Sequence, residues 1–249
     1  MTDRELDGKV AIVTGAGRGI GAAITRELAS AGAAVALAAR SKNQLSAVRA
    51  SLPDGTASIE VPTDVSVTAD LDRLVARTAK ELGGVDILVN NAGTMPKARQ
   101  IYKVSEEEWQ YTMGVNLHAP WYLANLAREQ MKDHGGGVIV NVASNSGLHH
   151  DIGLGLYGIS KAAVIWLSTV QAKEWARDGI RVNCLAPGIV RTELAQDVIA
   201  YIDEHDVKPN PLDFIAEPGD IAGLVGFIVS PRARYLTGET IRIDGGELL

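Results

Sequence analysis

The segment LYGISKAAV (156–164) sets a phenol, Tyr157, four residues before an ammonium, Lys161. Ala162, Ala163, Val164 and Leu167 mark the surrounding stretch as a helix packed on an apolar surface. Positions i and i+4 share a helix face, so the two polar groups lie side by side. A free tyrosine, with a pKa of about 10, is a poor proton shuttle at neutral pH. A cation fixed beside it favours the phenolate and lowers that value. Taken alone, the spacing also describes a lysine snorkelling past a packed tyrosine, which is its commoner meaning. The rest of the chain has to decide between the two.

A second constellation lies near the start. The apolar run KVAIVTG (9–15) reads as a buried strand and leads directly into TGAGRGIG (14–21). Gly15, Gly19 and Gly21 fall at the turn from this strand into a helix. Without Cβ atoms the backbone turns tightly and a pyrophosphate can approach it. The helix that opens there offers free N–H groups and the positive end of its dipole. A Gly-rich connecting turn is the plain alternative, and the strand-to-helix context outweighs it. The second strand ends in AAR with Arg40 and no acid nearby, and Arg18 lies inside the glycine loop. At this place an acidic side chain would bond the ribose 2′-OH of NAD, whereas an arginine pairs with the 2′-phosphate of NADP. Either arginine alone also reads as a solvated charge. Together they predict NADP(H) in preference to NAD(H).

Other chemistry is absent from the pattern. His118, His134, His149, His150 and His205 form no H-E-x-x-H or Cys/His cluster, so no metal site is expected. The net charge of −6 and the lack of a Lys/Arg run argue against a nucleic-acid binder. With Cys184 as its one cysteine the chain forms no internal disulfide, which fits a reducing, cytoplasmic setting. The polar start MTDRELDGK is not a secretory signal, and no apolar run reaches a membrane span of about 20 residues.

These groups need elements to hold them. Short apolar runs at 9–15, 33–40, 57–65, 85–93, 136–144, 179–188 and 238–246 read as strands. Helical stretches alternate with them: 19–32, one capped by Ser41 and Gln44, one ending near Leu82, one capped by Ser105 and Glu108, and the Tyr157 helix to about Arg177. Such alternation predicts parallel βαβ units in a sheet covered on both faces. No linker divides the 249 residues, so one domain is expected. Residues 1–95 would mainly bind the cofactor, and 96–249 would carry the catalytic residues. The stretch 191–218, with Pro209, Pro211 and Pro218, reads as a substrate loop or lid. Trp166, Val170 and Trp175 lie away from the Tyr157 face, and a second apolar face predicts a subunit interface.

TGAGRGIG, NNAG (90–93), Asn116, Ser144, Tyr157-x-x-x-Lys161, PGIVRT (187–192) and TGETIRIDGG resemble, in order and spacing, the short-chain dehydrogenase/reductase family over nearly the whole chain. The resemblance implies a Rossmann fold with a doubly wound, seven-stranded parallel sheet. It also implies hydride transfer between a nicotinamide and a carbonyl or alcohol, without a catalytic metal, in a homodimer or homotetramer. Tyr157 would be the general acid or base, and Lys161 would hold the nicotinamide ribose and lower the Tyr157 pKa. Ser144 would bond the substrate oxygen, and Asn116 would help hold a water chain to Lys161. By the same likeness Asp64 and Val65 would contact the adenine, and Asn91, Ala92 and Gly93 the ribose. Ile20 would lie near the nicotinamide ring, with Pro187, Gly188, Ile189 and Thr192 at its carboxamide. The substrate pocket is expected between Met95, 146–156, Ile189 and 193–215, with His149, His150 and Asp151 as either a polar wall or a solvated loop. A carbonyl reductase is the leading reading. A 3-oxoacyl-carrier-protein or -CoA reductase, a sugar or polyol dehydrogenase, a non-catalytic NADP sensor and a structural oligomer subunit are the alternatives.

Overall fold

The computed structural model describes residues 4–249. Seven strands pair in parallel in the order β3-β2-β1-β4-β5-β6-β7. They are β1 (Val10–Thr14), β2 (Ala34–Ala39), β3 (Ser58–Pro62), β4 (Ile87–Asn90), β5 (Gly137–Val142), β6 (Ile180–Pro187) and β7 (Thr240–Ile243). All are short and rich in Val, Ile, Leu and Ala, as expected of strands buried on both faces. Alternate side chains go to opposite cores. Ala11, Val13, Val35 and Leu37 join one cluster, and Ile12, Ala36 and Ala38 join the other.

Helices close both faces. The first cluster is covered by α1 (Gly19–Ser30), α2 (Lys42–Arg49) and α8 (Pro218–Val229). The second is covered by α3 (Thr68–Leu82), α5 (Ala119–Asp133) and α6 (Gly155–Trp175). Between them in the chain lie α4 (Glu106–Met113) and α7 (Gln196–His205). Ser105 and Glu108 make a full capping box at α4. At α2 only half of the expected box forms, with Ser41 Oγ accepting from the Gln44 N–H at 3.4 Å. The strand order reverses between β1 and β4, and ligands bind outside the carboxyl ends of strands at such a switch point.

Three features depart from the sequence reading. The expected loop 191–218 contains α7. No element was expected between 218 and 238, yet α8 lies there with Pro218 in its first turn and a Glu217–Asp220 capping box. This helix is apolar on nearly every side, so it shows no stripe to detect. Trp175 does not share the outward face of Trp166 and Val170. It is buried in the second core with the Arg128 guanidinium 5.7 Å from its ring centroid. Nine residues make two and a half helical turns, which carries position 175 to the side opposite Trp166. Trp166 is 70% exposed. No helix among the described residues is long and apolar enough to cross a membrane.

Candidate active site

The site forms where β1, β4, β5 and β6 end. Gly15 (φ 67°) and Gly19 (φ 51°) adopt left-handed backbone that favours glycine. A Cβ on Gly21 would stand 2.2 Å from the Gly15 carbonyl oxygen and 2.5 Å from Asn91 Nδ2. The glycine loop is thus pressed against the NNAG turn with no room for a side chain. Thr14 Oγ1 accepts from the N–H groups of Asn91 and Ala92, each at 3.0 Å, and Asn91 Nδ2 donates to the Thr14 carbonyl at 2.9 Å. These bonds lock the two switch-point strands together at their tips. The start of α1 has no side-chain cap and no acid in its first turn. Its open N–H groups and dipole therefore suit a phosphate, and the site residues fit a dinucleotide. Val65 lines the narrow cleft there with Thr14, Asn90 and Ala92. Asp64 Oδ1 instead accepts from the Ser66 N–H at 2.9 Å and its hydroxyl at 2.7 Å, and so holds the turn into α3.

Arg40 is exposed at the end of β2. Arg18, at the start of α1, forms an ion pair with Glu193, which follows Thr192. Thr192 itself packs on the loop, its Cγ2 standing 3.1 Å from where a Gly19 Cβ would be. The segment Pro187–Thr192 therefore ties the chain that follows it to the glycine loop. Ile189 packs against Ile199, Ile202 and Ile215.

Tyr157 and Lys161 are buried on α6, and Ser144 is buried just beyond β5. Burial raises the Tyr157 pKa, and the neighbouring Ser144 hydroxyl opposes the rise. Lys161 Nζ lies 5.7 Å from the Tyr157 ring centroid and donates to the Val142 carbonyl at 2.9 Å. Burial lowers the Lys161 pKa to about 8. The expected lowering of the Tyr157 pKa by Lys161 is not found. The lysine bonds a carbonyl instead, and its own charge is disfavoured where it sits.

Asn116 lies in a π-helical turn, Gly114–His118, between α4 and α5. Such turns frequently mark functional sites. Its Oδ1 accepts from the Thr94 N–H at 2.8 Å, while Nδ2 donates to the Thr94 carbonyl at 2.9 Å and to Ser160 Oγ at 3.0 Å. Both amide donors are taken, so Asn116 clamps the chain after NNAG onto α6. A Cβ on Gly93 would stand 3.4 Å from Lys161 Nζ and 3.5 Å from Asn116 Oδ1. The structure thus gathers the separate motifs into one place.

Residues 15–247 match a protein family described as enoyl-(acyl carrier protein) reductase. A protein of Homo sapiens, dehydrogenase/reductase SDR family member 4, is 37% identical over 250 residues, covering 99% of this chain and 90% of its own length. The chain belongs to the short-chain dehydrogenase/reductase family. It is an oxidoreductase. Among solved family structures, a 7α-hydroxysteroid dehydrogenase with NADH and 7-oxo glycochenodeoxycholic acid superposes with a TM-score of 0.93 at 31% identity, covering 99% of this chain and 96% of that one. L-sorbose reductase from Gluconobacter frateurii, with NADPH and L-sorbose, superposes with a TM-score of 0.92 at 33% identity, covering 99% and 98%.

The chain that follows Ser144 carries a cluster of polar side chains. His149 Nδ1 lies 2.9 Å from the Asn145 carbonyl oxygen, and Nε2 lies 3.0 Å from Asp151 Oδ1. Ser146 donates to Asp151 Oδ2 at 3.2 Å. Burial pulls the His149 pKa down, but these two acceptors outweigh it and hold the pKa above the usual histidine value. His150 is exposed and stands apart. Sequence reasoning missed Thr14 and Ser160. Thr14 lies within the quoted glycine segment. Ser160 lies within the segment 156–164 beside Lys161, but only the fold brings it to Asn116. Among the described residues no His/Cys/Asp/Glu group is arranged to hold a metal.

Proposed function

We propose that the chain is an NADP(H)-dependent reductase of a free carbonyl compound, with Tyr157 as the acid. The observation that carries this reading is the pairing of two buried hydroxyls, Ser144 and Tyr157, beside an open phosphate-binding turn. When bound, the nicotinamide supplies the hydride. The chain's own groups handle the oxygen. Ser144 and Tyr157 hold donors where negative charge develops on the carbonyl oxygen. A Tyr157 pKa kept up by burial leaves the phenol protonated at neutral pH, which suits reduction rather than oxidation. Lys161 positions the ribose, and Asn116 fixes the segment against which it lies.

Arg40 and Arg18 favour the phosphorylated cofactor, although Arg18 would first have to leave Glu193. The two family structures differ on this point, one holding NADH and the other NADPH. Arg40 supports the phosphorylated form, because it is exposed at the end of β2 where a 2′-phosphate could meet it. Arg40→Asp removes a 2′-phosphate partner and adds a 2′-OH acceptor. Its ratio of kcat/KM for NADPH over NADH is expected to fall by about tenfold or more. An unchanged ratio, or a wild type that prefers NADH, would refute the assignment. The exposed face of Trp121, Trp166 and Val170, beside a groove lined by Met113, Leu117 and Leu167, supports a homodimer or homotetramer.

A further inference from the structure

Ser144 is held from its own chain. The Ser146 N–H donates to Ser144 Oγ at 3.2 Å, and the Gly147 N–H donates to the Ser144 carbonyl at 3.0 Å. One lone pair of the hydroxyl is thereby occupied, while its proton is held only loosely, by Asn145 Oδ1 at 3.4 Å. Ser146 is tied in turn. Its Oγ donates to Asp151 Oδ2 at 3.2 Å, and Asp151 Oδ1 lies 3.0 Å from His149 Nε2. The other ring nitrogen, Nδ1, lies 2.9 Å from the Asn145 carbonyl oxygen. The contacts therefore run from His149 through Asp151 and Ser146 to Ser144, and return from His149 to the peptide next to it.

Both oxygens that His149 faces, one of a carboxylate and one of a peptide carbonyl, are acceptors. A neutral imidazole carries one N–H, so in either tautomer one ring nitrogen turns a lone pair on an oxygen. Only the imidazolium donates to both. The surrounding charges suit that form. Asp151 on its own loop and Glu247 from the segment after β7 both favour it. Asp244, beside Glu247, pairs with Arg242 at 3.3 Å. From α6, Tyr157 is neutral and Lys161 is turned to the Val142 carbonyl. Arg99, whose N–H donates to the Gly153 carbonyl at the far end of the loop, pairs with Glu108 at 3.1 Å.

We propose that His149 and Asp151 are positioning residues for Ser144. The imidazolium grips the Asn145 carbonyl and Asp151, Asp151 orients Ser146, and the Ser146 N–H sets Ser144 Oγ toward the reacting carbonyl. The proposal rests on the reading of Ser144 and Tyr157 as the site of that oxygen, and it adds a pH dependence. Protonated His149 keeps the set together. As pH rises through its pKa, which lies above the usual histidine value of about 6.5, the ring loses one of its two donors and the loop loosens. Reduction is therefore fastest on the acid side of that transition. The His149 and Asp151 side chains are 27% and 41% exposed, so solvent screens the pair and keeps the effect modest.

The test uses the full chain with NADPH and 2,3-butanedione, a small electrophilic diketone. The ratio of kcat in the wild type to kcat in His149→Gln is measured from about pH 6 to about pH 9, a range that spans the transition. Titrations common to both proteins, such as that of Lys161, cancel in this ratio. It is expected to start at about three to ten and to fall toward one as His149 loses its proton. A merely structural role would give a ratio that does not change with pH. Asp151→Asn, which lacks the carboxylate, should move the decline of kcat to lower pH, and thermal melts report whether each variant folds. A second measurement needs no turnover. In an NMR titration of the cofactor-free chain, His149 should titrate above the usual histidine value, and lower in Asp151→Asn, with the Ser146 amide shifting at the same midpoint. A ratio flat with pH, or near one throughout, overturns the positioning role, and so does a Ser146 amide that ignores the titration. If butanedione is not reduced, the NMR result decides alone. Tyr157→Phe, run alongside, must lose turnover. Turnover kept in that variant refutes the reading of the reacting site, whereas a Ser146 amide blind to His149 refutes only the positioning.

Discussion

Lys161 is held where its charge is disfavoured, and the cost has a sign that can be measured. Its pKa in the folded chain is about 8, against about 10.4 for an unfolded lysine. Below about pH 8 both states carry the proton, and the full cost of burying the charge opposes folding. Between about 8 and 10.4 the folded lysine is neutral while the unfolded chain still binds a proton, so stability rises with pH. The total rise is on the order of 3 kcal/mol. Tyr157 acts in the opposite sense only above about pH 10, where an unfolded tyrosine ionises. Urea unfolding of the cofactor-free protein at pH 7.5 and 9.5, conditions chosen from that window, should therefore show wild-type stability gaining on Lys161→Met. Parallel behaviour of the two proteins would mean that Lys161 is not desolvated in solution. The lowering of the Tyr157 pKa expected from the spacing is not seen: burial raises it against the Ser144 hydroxyl, and the Lys161 ammonium donates to the Val142 carbonyl.

The glycine turn shows how tightly the elements constrain single residues. In Gly21→Ala the new methyl would meet the Gly15 carbonyl oxygen at 2.2 Å and Asn91 Nδ2 at 2.5 Å, and both belong to the locked tips of β1 and β4. We expect a loss of about 2 kcal/mol or more in stability together with weakened NADPH binding. Wild-type stability and affinity in that variant would show that the turn can relax. The turn was legible in the sequence, as were all seven strands and the cap at Ser105, since each is a local pattern of glycine, period or capping residue. Element ends shifted inward by one to three residues, as for β4, expected over 85–93 and found at Ile87–Asn90. The helices α7 and α8 were not legible. The three prolines that follow α7 read as loop, and α8 is apolar on nearly every side, its exposed face carrying Gly219, Gly223 and Phe227, so its sequence shows no amphipathic stripe. The catalytic positions came from the combined motifs. The Asn116–Ser160 bond stayed hidden because the two residues lie 44 positions apart and meet only when α6 packs on the π-helical turn. Trp175 was misplaced by treating three apolar residues of α6 as one face.

At the scale of the whole molecule, charge bears on the substrate. Acyl-carrier proteins are acidic partners that dock by electrostatic complementarity. Here Lys132 lies 3.8 Å from Glu129, Arg128 pairs with Asp178 at 2.6 Å, and the net charge is −6. We therefore expect one ketoacyl group to react with similar kcat/KM on carrier protein and on a small thiol mimic. A large advantage for the carrier-borne form that fades with added salt would contradict this. In this account the sheet, the glycine turn, the NNAG lock and the Asn116 clamp all serve to set the Tyr157 hydroxyl beside Ser144. Turnover in Tyr157→Phe, measured as NADPH oxidation with a carbonyl panel beside NADPH affinity and thermal stability, tests this most directly. The substitution removes one hydroxyl and keeps the ring. The account predicts a loss of about a hundredfold or more in kcat with fold and NADPH binding retained, and near-normal turnover in the folded variant would contradict it.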